Sequence, residues 1–208
     1  MIAFLHTNKV HIERFEALVK QFNPNIETKH FVNKTILDDA LSTGKTNTTQ
    51  FNKEIEAIRQ TNPSLIICTC STFGSESDKH TDVQRIDKPI ITHLVENYTK
   101  IGLAFTANST KVVSEDLLLK IALEKQKSID IIDCDCSEFW PYFEASNFED
   151  YTKNIAKNIS KLESQVDVMF LAQASMEGAK DYLTDFKKEV FTSPEFGIQE
   201  LLKTIQIL

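Results

Sequence analysis

The chain's four cysteines stand in two Cys-x-Cys pairs, Cys68/Cys70 and Cys134/Cys136, and thiols at that spacing invite nucleophilic, proton-transfer, metal or redox chemistry. Cys70 has the most suggestive setting. It closes the apolar run LIICTC (65 to 70) and is followed by Ser71, Thr72, Phe73 and Gly74, residues suited to a turn into a helix. A thiol at a helix N-terminus meets free backbone N–H groups and the positive end of the helix dipole, which favour thiolate. A thiolate so placed serves as a nucleophile or as a base towards carbon. The same position equally suits a small hydrophobe ending a buried strand. Cys68, two residues earlier on the same strand face but deeper, reads as core. Structural zinc sites use cysteines two to four residues apart in knuckles, and these two pairs do not occupy matching places in the chain, so no metal site is expected. His6 and His93 are candidates for a second proton carrier, although a histidine at a strand end is more often a hydrogen-bonded structural residue.

Two polar clusters complete the inventory: Thr106, Asn108, Ser109 and Thr110, and Gln173-Ala174-Ser175. Hydroxyls, an amide and nearby backbone N–H groups can cradle a carboxylate, and they can equally cap a helix. Thr7 and Asn8, near the N-terminus, have the same character.

The composition excludes some classes. With 208 residues, 41% hydrophobic and 25% charged, the chain can bury one large core or two small ones. Its 23 basic residues against 30 acidic ones give a net charge of −7, without the clustered basic excess of a nucleic-acid binder. MIAFL is too short for a signal-peptide core, and no apolar run approaches membrane-spanning length. A reducing, cytoplasmic setting with free thiols is expected.

The elements that must position these residues alternate. IAFLH (2 to 6) reads as a buried strand, and His11 to Phe22 as a helix with Ile12, Phe15, Leu18, Val19 and Phe22 on one face. A strand near Ile26 to Val32 follows, then a polar stretch, Ser42 to Gln50, that suits a flap or a solvated loop. A helix near Phe51 to Gln60, the strand LIICTC and a short strand at 89 to 91 close the first half. The second half repeats the order. IGLAFT (101 to 106) is a strand, Ser114 to Lys125 a helix, SIDIID (128 to 133) a strand, and Phe148 to Leu162 contains a helix. VMFLA (168 to 172) and EVFTS (189 to 193) are strands, and a last helix carries Ile198, Leu201, Leu202 and Ile205. Such alternation argues for parallel sheets with right-handed crossovers.

Thr7 matches Thr106, LIICTCST (65 to 72) matches VMFLAQAS (168 to 175), and 90 to 92 matches 190 to 192, each about 100 residues apart. Two similar lobes follow, divided as 1–93 plus 189–208 and 94–188. Ligands of parallel α/β sheets bind beyond the carboxyl ends of the strands, so the polar strand ends are where chemistry is expected.

These residues together resemble the Asp/Glu racemase superfamily over essentially the whole length. The resemblance rests on LIICTCSTFG (65 to 74), on Arg85-Ile86-Asp87-Lys88-Pro89, on IGLAFTANST opening the second half, on LAQASM (171 to 176) and on Thr192-Ser193-Pro194. It implies two flavodoxin-like α/β lobes related by a pseudo-twofold axis, with an active-site cleft between them. It implies cofactor-free proton transfer at a carbon beside a carboxylate, by two cysteines on opposite walls. Cys70 matches the first cysteine, and Gln173 stands where the second is expected. A neutral amide has no proton to exchange at ordinary pH. The expectation is therefore a one-base isomerase, decarboxylase or lyase with Cys70 as acid/base or nucleophile. Thr7, Asn8, Ser71, Thr72, Thr106, Asn108, Ser109, Thr110, Gln173, Ala174 and Ser175 would hold a small carboxylate substrate. The resemblance also allows a homodimer. A non-catalytic carboxylate-binding protein on the same fold is the second reading, and a metal or redox protein built on the paired cysteines the third.

Overall fold

The computed structural model describes residues 1–205. Among them, eight strands form two four-stranded sheets, both wholly parallel. In the first sheet, β1 (Ile2–His6), β2 (Thr28–Val32), β3 (Leu65–Cys68) and β4 (Val83–Arg85) lie in the order β2-β1-β3-β4. In the second, β5 (Lys100–Phe105), β6 (Asp130–Asp135), β7 (Val168–Leu171) and β8 (Glu189–Thr192) lie in the order β6-β5-β7-β8. The order is the same in both, and so is the register. Leu5 stands opposite Cys68 at the end of β1 and β3, as Ala104 stands opposite Leu171 at the end of β5 and β7. Two similar parallel α/β lobes, expected from the alternation, are thus the observed architecture.

Nine α-helices connect and cover these strands among the described residues: α1 (Ile12–Phe22), α2 (Thr35–Thr43), α3 (Thr48–Arg59), α4 (Gly74–Ser77), α5 (Lys88–Asn97), α6 (Asn108–Glu124), α7 (Trp140–Glu144), α8 (Phe148–Ser160) and α9 (Ser193–Ile205). The apolar faces of α3 and α8 each pack on the sheet of their own unit. Phe51, Ile55 and Ile58 of α3 share one core with Ala3, Leu5, Ile66 and Cys68. Tyr151, Ile155, Ala156 and Ile159 of α8 share another with Ala104, Met169 and Leu171. None of the helices is long and apolar enough to cross a membrane.

Three sequence expectations change. Residues 89 to 91 begin α5 instead of a strand: Ile90, Ile91, Leu94 and Val95 recur at helical spacing, all buried, and Pro89 sits in the first turn, where it needs no N–H partner. The strand of that region is β4, and its counterpart β8 makes 190 to 192 a strand, so 90 to 92 and 190 to 192 are not equivalent. The stretch 42 to 50 is mostly helical. Gly44 ends α2 at φ 69°, and the Asn47 side chain caps α3 by accepting from Gln50 N–H at 3.1 Å.

The chain divides into two compact units, residues 1–89 with 194–208, and residues 90–193. The boundaries expected from sequence were 93/94 and 188/189. β8 hydrogen-bonds to β7 and so belongs with the second sheet, while most of α5 goes with the second unit and α9 with the first. Residues 206–208 lie outside the described residues.

Candidate active site

In each unit the first and third strands are neighbours whose onward connections leave in opposite directions, and the crevice beyond such a switch point is where parallel sheets bind ligands. In the first unit that position holds Thr7 and Asn8 after β1, and Thr69, Cys70, Ser71 and Thr72 after β3. Cys70 is partly exposed, with extended backbone, and opens the tight turn Ser71–Phe73 that leads into α4. Its sulfur is bonded by the hydroxyls of Thr7 and Thr72 and by the backbone N–H groups of Thr72 and Phe73. Burial nevertheless outweighs these donors and pushes the thiol above its ordinary value. This corrects the expected depression. α4 has only four residues, so the dipole contributes little, and Cys70 rests as a thiol. Asn8 acts as a cap, its Oδ1 accepting from Val10 N–H at 3.0 Å. Ser71 and Thr72 are buried in the turn.

The turn is clamped from below. Arg85, at the end of β4, is 3% exposed and makes a fork of hydrogen bonds to the fully buried Asp87, at 2.6 and 2.8 Å, with a third bond to Asp78 at 3.3 Å. The guanidinium lies so close under Gly74 that a Cβ there would stand 2.2 Å from Arg85 Cζ.

Behind Cys70 runs a second polar chain. Thr69 donates its hydroxyl to the Leu5 carbonyl at 3.2 Å and lies 2.8 Å from His6 Nδ1, and His6 Nε2 lies 2.8 Å from His30 Nδ1. Assigning protons from this network makes His6 Nδ1–H a donor to Thr69 and His30 Nδ1–H a donor to His6. That leaves His30 Nε2, buried and without a partner, as a bare lone pair instead of a stranded N–H. Burial, then the neighbouring His30 and His11, drops His6 to about 3. His6 is therefore neutral and structural, stacked on Phe4. His93 lies in α5, edge-on to Phe191 at 5.4 Å.

In the second unit the equivalent strand ends carry Thr106 and Gln173. Gln173 Oε1 accepts from Thr106 N–H at 2.7 Å and from its hydroxyl at 2.9 Å. Thr106 therefore stands to Gln173 as Thr7 stands to Cys70. Ser175 is 3.0 Å from the Tyr151 phenol, which also lies 3.5 Å from the Thr106 hydroxyl. Ala174 opens the 3-10 segment Ala174–Tyr182. Ala107 occupies the N-cap position of α6 without a side-chain bond, and Asn108, Ser109 and Thr110 form its first turn, so none of these three is the cap. Tyr151 is the residue of this candidate site that sequence reasoning missed. It is fully buried, and burial raises its phenol to about 12. The available signal was a tyrosine on the apolar face of a helix, since a buried phenol needs a partner.

Cys68 is buried, its thiol raised to about 12, and donates to the Cys70 carbonyl at 3.7 Å. Among the described residues no group of three or more His, Cys, Asp or Glu is placed to hold a metal ion.

Solved structures share this fold. An aspartate racemase from Picrophilus torridus matches with a TM-score of 0.75 at 13% identity, over 99% of this chain and 94% of that one. A glutamate racemase isoform from Bacillus anthracis matches at 0.73 and 13% identity, over 100% and 82%. An allantoin racemase from Klebsiella pneumoniae matches at 0.65 and 12% identity, over 99% and 87%. No family model and no curated protein sequence matches the chain. The chain has the fold of the Asp/Glu racemases.

Proposed function

We propose that this protein is a cofactor-independent, racemase-like enzyme that moves a proton at the carbon beside the carboxylate of a small organic acid, with Cys70 as its single acid/base group. The observation that carries this reading is the unequal pair at equivalent strand ends: Thr7 bonded to the Cys70 sulfur in one unit, Thr106 bonded to the Gln173 amide oxygen in the other. The racemase fold supports the reaction class, and the unequal pair supports one base instead of two.

A thiol held above its ordinary value is a proton donor. When an enolate-like carbon takes the Cys70 proton, the sulfur left behind is an anion with four donors already around it, two hydroxyls and two backbone N–H groups. The same donors ease the reverse step, in which the thiolate removes a proton. Gln173, with its oxygen committed to Thr106, keeps only its NH₂ to offer, a group that binds carboxylate oxygen but exchanges no proton in this pH range. Thr106, Ser175 and the first turn of α6 add further hydrogen-bonding groups for the carboxylate. An isomerase, a decarboxylase and a lyase all use this step.

The test is a panel of small carboxylic acids incubated with the enzyme in deuterated water and followed by NMR and chiral chromatography. Deuterium on one stereochemical face, lost in Cys70→Ser, is expected. Racemic product would overturn the one-base mechanism. A second reading, a carboxylate-binding protein without catalysis, is favoured by the same Gln173 amide. Saturable binding with no exchange by any acid of the panel would establish it.

A further inference from the structure

We propose that Cys134 and Cys136 form an oxidisable dithiol, which a small peroxide converts into an intrachain disulfide at the end of β6. The inference does not depend on the proposed function. The two sulfurs are 3.9 Å apart, and both thiols are free. The other Cys-x-Cys pair is arranged differently, because Cys68 turns its S–H to the Cys70 carbonyl. β6 is an edge strand, bonded to β5 alone, and Cys136 already lies beyond its last residue, at φ −117° and ψ 17°. The segment can therefore move the roughly 2 Å that closing an S–S bond of about 2.05 Å requires without breaking a central ladder. Asn158 of α8 steadies it, its Nδ2 reaching the Asp135 carbonyl at 3.2 Å and the Cys136 sulfur at 4.0 Å.

The pair is also polarised. Hydrogen bonding from Cys136 lowers the Cys134 thiol, while the same contact and burial raise Cys136. Cys134 is the attacking sulfur. It bonds to one peroxide oxygen, the O–O bond breaks, and the departing hydroxide leaves as water with the thiol proton. The Cys136 sulfur then attacks the resulting sulfenic sulfur, the S–O bond breaks, and a second water leaves with the second thiol proton. Two electrons pass from the sulfurs to the peroxide.

The experiment treats the full chain with hydrogen peroxide, unfolds it under acid quench, counts thiols and maps peptides by mass spectrometry. Thiols are expected to fall from four to two, with the Cys134–Cys136 peptide about 2 Da lighter and restored by dithiothreitol. In Cys70→Ser, the count should fall from three to one. Trp140, which packs on the same core cluster, should change its fluorescence with the same time course. Four surviving thiols under peroxide that oxidises free cysteine, a bond involving Cys68 or Cys70, or sulfinic acid on single cysteines would each overturn the proposal.

Discussion

Burial of the Cys70 sulfur and the four donors around it act in opposite directions on its thiol, and burial is the larger effect. Thr7→Val removes a hydroxyl while keeping the side-chain shape. A hydrogen bond to an ionised group is worth about 1.5–3 kcal/mol, so the alkylation profile of Cys70 with iodoacetamide should move one to two pH units, about, towards alkali. An unmoved profile would remove Thr7 from the site. His6 gives a second residue-scale prediction. Its folded value of about 3 lies below the ordinary 6.5, so the unfolded chain binds the extra proton between those limits and stability falls as pH falls through that window. Roughly 3–5 kcal/mol is at stake by linkage. Urea unfolding at pH 7.5 and pH 5 should show about 2 kcal/mol of this loss, the part that falls above pH 5, and His6→Gln should flatten it.

Among the elements, the turn that carries Cys70 depends on the strand beside it. Arg85 and Asp87 make a buried charge pair, and the guanidinium fills the space that a side chain at Gly74, the first residue of α4, would need. Gly74→Ala forces that side chain or the turn to shift, at a cost of about 1–3 kcal/mol in urea unfolding. A variant as stable as the parent would show that the clamp is loose. The connection after β3 is a short turn and a four-residue helix, too short for a sizeable helix dipole at Cys70, and this ion pair packs directly against its first residue, Gly74. Sequence reading placed the turn correctly, because an apolar run ending in Cys-Ser-Thr-Phe-Gly has few other local solutions. It did not find β4, because Val83–Arg85 is too short to show a period.

Over the whole molecule, two units with the same strand order differ at their polar strand ends. Cys70 corresponds to Gln173, and the polar pair His6–Thr69 corresponds to Phe105 and Ala172, which carry no hydrogen bond of that kind. One unit has a thiol at this strand end, with a polar pair behind it; the other has an amide. Under the proposed function, Gln173→Cys restores a carrier at the second strand end. It should turn one-face deuteration into exchange on both faces, read by chiral chromatography of the recovered acid. Continued one-face labelling would mean that the second unit contributes binding alone.

The residue pattern by itself determined the parallel α/β class, the repeat and the polar strand ends, because alternating apolar runs and amphipathic helices of these lengths have few other ways to bury their surfaces. It also placed Cys70 and Gln173 at matching points, since LIICTC and VMFLAQ share one spacing. Only the tertiary structure decided which partners those side chains meet. Thr7 reaches Cys70 and Tyr151 reaches Ser175 and Thr106 across long stretches of chain, and no local period encodes such contacts. The protonation of Cys70 belongs to the same category. Its sign depends on how much water the fold removes from the sulfur against how many N–H and O–H groups it brings, and both quantities come into being only when distant strands pack.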